Sequence, residues 1–382
     1  MSKESFCYKP KTLEAGDKIG LVNPVGEMNK GYAETSVPRV ISYLERRGYQ
    51  VAEQRITNRR KLLEGIQDPD ILYDYYDPYL TTDNQEIRFN PYHIKKRSFL
   101  ALNNPSSRER AQLFNEAVAN CDAIFPLVGN KFGMDIIDHI DYAVFRERRP
   151  IFVTFSAASA FLLHLHLRTN TEVFYGPHMH FLAGYENDYT VTSFWNLLRQ
   201  KEPPFVLKNI YSSSNEQLIP PSERIPFLAY KADQTSSQVA GKIMPIFLSS
   251  LEEVVKQETT DFDPERVILM VEADERNYGD CFAALELVHQ QTDLSKLSAL
   301  VLASFIAFKP ENSILRNELL DPAKAQGFAL RVRRLLKDNV PVIYGFPMGH
   351  SKYKLTIPMG IQAELDIETG DITLKENPFS NS

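Results

Sequence analysis

The chain has 382 residues, 43% of them hydrophobic and 24% charged, enough for two ordinary cores and slightly long for one domain. A formal net charge of −6 and the absence of any Lys/Arg run leave no basic field for nucleic acid or an anionic membrane surface, which points to small-molecule or peptide partners. Cys7, Cys121 and Cys281 are far apart and show no Cys-x-x-Cys or Cys/His ligand spacing, so neither a disulfide framework nor a metal site is indicated.

The opening MSKESFCYKPKTL has no apolar core or small-residue cleavage pattern, and no apolar run approaches membrane-spanning length. Together with the cysteine usage this sets a cytoplasmic location as the expectation. Lys18–Asn23 reads as a buried first strand, followed by a helix over about Tyr32–Arg47 that stops at Gly48, and by a second strand at Tyr49–Ala52. An order of strand, turn, helix and strand with no hairpin signal predicts a parallel sheet with crossover helices.

Periodicity lapses over residues 57–102, which hold Tyr73, Tyr75, Tyr76, Tyr79, Phe89, Tyr92 and His93 among Asp, Asn and Pro. Two readings stay open there: an insertion packed over a site, or a surface excursion that covers its own tyrosines. A helix from about Ser107 to Ala119, capped by Ser106 or Ser107, leads into a strand at Ala123–Val128 and the loop Gly129-Asn130-Lys131-Phe132-Gly133. Loops at the carboxyl ends of parallel strands line the ligand crevice of open α/β sheets, which places this loop on the same edge as the next feature.

Ile151–Phe155 is a short β-branched and aromatic run, and helical spacing begins at Ala157 with Phe161, Leu162 and Leu165. Ser156 sits between them with small neighbours Ala157, Ala158 and Ser159, as a nucleophile elbow requires; the ordinary alternative for a serine in this position is a helix N-cap. Further on, Glu172–Tyr175 reads as a strand and Thr190–Arg199 as a helix, and 201–238 reads as the connection to a second domain starting near Val239. That domain shows strands at Val267–Val271, Ala299–Ala303 and Val340–Tyr344, with helices near Gly279–Gln290 and Ala325–Lys337.

A serine nucleophile needs a base, and the base needs an orienting group. Of eight histidines, His164 and His166 lie in the helix after Ser156, His139 and His289 look ordinary, and His178 and His180 follow a Gly-Pro turn where substrate contact or plain surface both fit. His350 follows the strand VPVIYGF and the turn Pro347-Met348-Gly349, a position where active-site residues collect. Glu272 ends the apolar strand VILMV, where a carboxylate is costly unless paired; release into solvent is its ordinary alternative.

The blocks YKPKTLEAGDKIGLVNPVG, AIFPLVGNKFGMDIIDHIDY, PIFVTFSAASAFLLHLH, VFYGP, VILMVEADERNYGD and VPVIYGFPMGHSKYKLTIPMGIQAELD resemble, in order and spacing, those of the muropeptide LD-carboxypeptidases and the related microcin C self-immunity peptidases. The resemblance implies an α/β protein: an N-terminal parallel-sheet domain (1–200) carrying the nucleophile elbow, the 201–238 linker, and a smaller C-terminal α/β, β-barrel-like domain (239–382). It further implies a Ser-Glu-His triad of Ser156, Glu272 and His350 that cleaves an amide, with backbone oxyanion donors at Ala157 and the Gly129-Asn130 loop, no metal or cofactor, and a homodimer. Lys131, His178, Trp195 and Arg276 are the substrate-contact candidates, Trp195 either as a stacking surface for adenine or as a helix anchor.

Three departures from the family pattern border this site: Ala157 where an aspartate is usual, Asn130 where a second glycine is usual, and Pro245-Ile246-Phe247 in place of a Gly-Gly-Asn group. Three functions are therefore weighed: release of the terminal D-alanine from a cell-wall tetrapeptide, cleavage of a peptidyl- or aminoacyl-adenylate in self-immunity, and a peptide-binding homologue that has lost its chemistry.

Overall fold

The computed structural model describes residues 7–24, 30–52, 106–127, 129, 134–184, 187–212, 215, 219–220, 223–232, 236–257, 262–273, 276–303 and 321–380. The aromatic-rich stretch 57–102, Asn130 and Lys131 lie outside them.

Two sheets organise the chain. The first has the order β12-β5-β4-β3-β1-β2, with β1 at Lys18–Gly20, β2 at Gln50–Val51, β3 at Ala123–Ile124, β4 at Ile151–Thr154, β5 at Val173–Tyr175 and β12 at Ile357–Met359. β1 to β5 are all parallel, as the strand-helix alternation predicts. Strands β4 and β5 are buried at every residue, the pattern of a sheet covered on both faces.

Expected strands at 18–23 and 123–128 are shorter in the structure, because the ladder gives way to a side chain: the Leu127 N–H donates to Asn23 Oδ1 at 2.8 Å. The helix Ser107–Asn120 starts as expected, with a reciprocal capping box between Ser106 and Glu109.

The second sheet runs β6-β14-β13-β8-β9-β10-β11-β7. Its parallel centre is β8 (Gln238–Phe247), β9 (Val267–Glu272), β10 (Ala299–Ala303) and β11 (Val342–Phe346), and β6 (Val206–Leu207), β7 (Leu228–Tyr230), β13 (Gln362–Asp366) and β14 (Ile372–Leu374) are antiparallel. Two of these strands, β6 and β7, arise from the 201–238 stretch expected as a bare connection. Its Pro and Ser content hid two short edge strands, positions where so few ladder bonds are needed that propensity says little.

The late strand β12 leaves the second sheet and pairs antiparallel with β5, Ile357 opposite Tyr175 and Met359 opposite Val173. A segment from the C-terminal part of the chain thus completes the N-terminal sheet, and one continuous apolar cluster from Leu13 to Phe379 underlies both.

Several polar groups are sealed into this frame. Burial lowers His166 to about 4 and His180 to about 3, and holds His178 well below the ordinary value, so these histidines fold neutral. Unfolded, they take up protons below about pH 6.5, so the stability they contribute is complete above that pH and is lost as pH falls toward 4. Wholly buried Glu172, raised well above the usual carboxylate range by burial, works in the opposite sense and offsets one of the three. The net effect expected is a loss of stability as pH falls below about 6.5. Urea denaturation at pH 7 and pH 5 checks this; equal midpoints would show that the histidines are not held neutral.

Candidate active site

The site is assembled from the carboxyl ends of parallel strands in both sheets, where parallel α/β architectures open their crevices. β4 ends at Thr154, and Phe155 leads into the turn Ser156–Ala158 and the helix Ser159–Thr169. Ser156 has φ +63, a left-handed backbone that costs a non-glycine residue on the order of 1 kcal/mol or more. This is the strained strand-to-helix elbow that lifts a serine hydroxyl clear of the sheet, and it excludes the plain N-cap alternative, since the residue preceding the helical turn is Phe155. Ser156 and Ala157 are both partly exposed, between buried neighbours on either side.

Glu272 is the last residue of β9 and is 0% exposed. Its carboxylate is enclosed by donors. Oε2 accepts from His350 Nδ1 at 2.8 Å and from the His350 backbone N–H at 3.4 Å, and Oε1 accepts from the Tyr175 hydroxyl at 2.5 Å. Because a carboxylate accepts, the bond to Nδ1 places the ring proton of neutral His350 on that nitrogen and leaves Nε2 as its basic atom.

The turn that delivers His350 depends on Gly349. That residue has φ +65, and a Cβ on it would lie 2.2 Å from Glu272 Cδ, so only glycine lets the backbone pass over the carboxylate.

The imidazole of His350 lies between Phe155, with ring centroids 5.1 Å apart, and Phe247, at 5.5 Å. Phe155 adjoins the serine and Phe247 ends β8, so the two halves of the chain close on the histidine from both sides. Two further bonds tie them: Phe247 N–H donates to Ser159 Oγ at 3.1 Å, and Ser250 Oγ donates to the Ala157 carbonyl at 3.2 Å.

Ser156, Glu272 and His350, nominated from three separate stretches, therefore converge. Gly129 joins them: a Cβ there would lie 2.8 Å from His178 Cε1, 3.0 Å from the Phe155 carbonyl and 3.4 Å from Ser156 Cβ, a closeness that excludes any side chain. Its neighbours Asn130 and Lys131 fall outside the described residues. Ala157 lies in the first turn of the helical run, where backbone N–H groups lack a helical acceptor.

His178 is 2% exposed and packs on Phe155 at 4.4 Å. Its Nε2 bonds the Thr154 hydroxyl at 2.9 Å and accepts from the Phe155 N–H at 3.4 Å, which assigns the ring proton to Nδ1. Burial is the main cause of its depressed pKa.

Two other candidates stand elsewhere. Trp195 is 6% exposed, stacks on Tyr49 at 5.4 Å, donates its indole N–H to Tyr43 and lies beneath the Arg199 guanidinium; its faces are occupied and it is a helix anchor, not a stacking surface. Arg276 is paired to Glu252 at 2.8 Å, so its charge is already matched within the protein.

Sequence reasoning missed Tyr175. Besides donating to Glu272, its hydroxyl accepts from the Ser156 N–H at 3.4 Å. The available signal was a hydroxyl-bearing residue at the end of a buried strand directly before the Gly-Pro turn.

In chemical terms, the site offers a partly exposed serine on a strained turn, an imidazole oriented by a buried carboxylate, and backbone N–H groups beside the serine. That set suits nucleophilic attack on a carbonyl and stabilisation of the resulting oxyanion.

Both halves of the chain match known proteins. Residues 77–176 match the LD-carboxypeptidase N-terminal domain and residues 241–365 the LD-carboxypeptidase C-terminal domain. The microcin C7 self-immunity protein MccF of Escherichia coli is 24% identical over 286 residues, 72% of this chain and 80% of that protein. In overall fold, MccF in complex with glutamyl sulfamoyl guanosine superposes with a TM-score of 0.70 at 19% identity, covering 98% of this chain and 100% of that one. The muramoyltetrapeptide carboxypeptidase of Oxalobacter formigenes gives 0.61 at 21% identity, covering 94% and 97%.

Gly349→Ala is expected to lower stability by about 2–4 kcal/mol, the sum of a left-handed backbone on a residue with Cβ and of overpacking against Glu272. Chemical denaturation measures it; a loss below about 0.5 kcal/mol would mean that the turn has room to move away from the carboxylate.

Proposed function

Starting from the chain's membership of the LD-carboxypeptidase family of peptidases, which the two domain matches show, we propose that it is a serine hydrolase that cleaves an amide bond in a small peptide. The observation that carries this reading is the bond of His350 Nδ1 to buried Glu272, which leaves Nε2 as the base, with Tyr175 linking the same carboxylate to a left-handed Ser156.

In this mechanism Ser156 Oγ attacks the carbonyl carbon while His350 Nε2 takes its proton. Glu272 keeps the ring in the tautomer that can do so and stabilises the imidazolium that forms. The N–H groups of Ala157 and Gly129 receive the oxyanion; Ala157 serves in this role through its backbone, which the usual aspartate would also present. Collapse of the tetrahedral intermediate passes the proton from Nε2 to the leaving amine and leaves an acyl-serine. A water, deprotonated by the same nitrogen, then releases the acid.

Release of the terminal D-alanine from a cell-wall tetrapeptide is the simplest substrate assignment within the family. A second reading, hydrolysis of an aminoacyl nucleotide, is favoured by the greater likeness to MccF, a protein described as conferring self-immunity and captured with glutamyl sulfamoyl guanosine. Trp195 does not support it, because the indole is enclosed by its own helix neighbours and tyrosines.

Ser156→Ala is expected to reduce kcat by roughly 10⁴-fold or more while the protein stays folded. Purified wild type and variant would be assayed side by side on murein tetrapeptide and on an aminoacyl sulfamoyl adenosine. The preferred substrate separates the two readings, and turnover unchanged by the substitution would remove the serine mechanism altogether.

A further inference from the structure

We infer that Tyr175 is a positioning residue of this site, its hydroxyl joining the serine elbow to the acid of the proposed triad and setting how strongly Glu272 supports the imidazole of His350. The inference rests on the Ser156–His350–Glu272 reading and goes beyond it by adding a fourth residue.

The hydrogen-bond inventory is the first ground. A carboxylate presents about four lone-pair sites on two oxygens, and one wholly buried must fill them from protein donors. Both donors from His350 reach Oε2. Among the described residues, Tyr175 is the one whose side chain bonds Oε1. A phenol has one O–H to give and lone pairs to accept with, and here both are in use: the proton goes to Glu272 and a lone pair receives the Ser156 N–H.

Rigidity is the second ground. Tyr175 is 0% exposed and lies at the end of β5 with Thr154 of β4 opposite it on one side and Ile357 of β12 on the other. The Phe155 ring stands edge-on to it at 6.3 Å. Its hydroxyl therefore has a fixed address between two segments 116 residues apart, Ser156 and Glu272 (272 − 156 = 116). Burial and the adjacent Glu272 charge also hold the phenol well above its ordinary pKa, so it remains a donor at any working pH.

The consequence is electronic as well as geometric. A donor on Oε1 draws charge from the carboxylate and moderates its pull on the His350 ring. Without that donor, Glu272 holds the protonated imidazole more tightly, and the base is neutral only at higher pH. Groups facing His350 include Glu272, the neutral His178, and the uncharged rings of Phe155 and Phe247, and of these Glu272 carries the charge that Tyr175 touches.

The test is Tyr175→Phe, which removes the hydroxyl and keeps the ring, with pH profiles of kcat/KM and separate kcat and KM values on whichever of the two substrates the wild type turns over. Expected are a kcat lowered about 10- to 100-fold with KM within about twofold, and an acid limb displaced to higher pH. Incorporation of 3-fluorotyrosine at position 175, with the same shape and a more acidic, stronger-donating phenol, is expected to displace the limb to lower pH and serves if the Phe variant folds poorly. An acid limb that stays in place or falls in the Phe variant makes Tyr175 a packing residue and overturns the inference, whatever happens to kcat. Parallel Ser156→Ala measurements separate the failures: if Ser156→Ala is inactive and Tyr175→Phe is indistinguishable from wild type, the inference alone falls, and if Ser156→Ala is active, the serine reading falls first.

Discussion

A carboxylate buried without solvent is the constraint on which this structure turns. Glu272 ends a strand with no exposed residue, and leaving a charge there unpaired would cost several kcal/mol. The protein meets that cost with three donors, and they come from different places: the phenol of β5 in the first sheet, and the ring and backbone of His350 at the end of β11 in the second. Docking the two sheets and solvating the carboxylate are thus one event. Neither half of the chain can satisfy Glu272 alone, which explains why the site lies where both meet.

The same interdependence is built into the backbone. β12, encoded between two strands of the second sheet, is inserted at the edge of the first and pairs with the strand that carries Tyr175. Hydrogen bonds through the Ser159 and Ser250 hydroxyls then hold the elbow helix against the end of β8. A left-handed serine survives only where its surroundings over-determine it, and here the N–H of Ser156, the carbonyl of Ala157 and the hydroxyl of Ser159 all have assigned partners.

Around the imidazole the environment is apolar. Phe155 and Phe247 flank His350, and His178 beside Phe155 is kept neutral. Glu272 itself is shut off from solvent, so small changes of donor number on its carboxylate are felt at the ring. Phe247 closes the ring of His350 on one side and so belongs to the site's wall.

Much of the first sheet was legible along the chain, because parallel strands buried on both faces read as short apolar runs separated by amphipathic helices. Ser156, Glu272 and His350 stood out as candidates too, because each stands where a buried run ends and such positions are expensive for polar groups; that they meet in space was not legible. The edge strands β6 and β7 and the migrating β12 were not, since two or three residues of ladder carry no periodicity and take their conformation from the neighbour they pair with. Trp195 is equally ambiguous in one dimension, where an aromatic at helical spacing serves a core or a ligand with the same letters; only the packed Tyr49 and the bonded Tyr43 decide between them. Tyr175 is the sharpest case. The sequence by itself determined that a tyrosine ends this strand, but its meaning required the tertiary structure, because a hydroxyl acquires a role only when folding brings a carboxylate 97 positions away within reach of its proton.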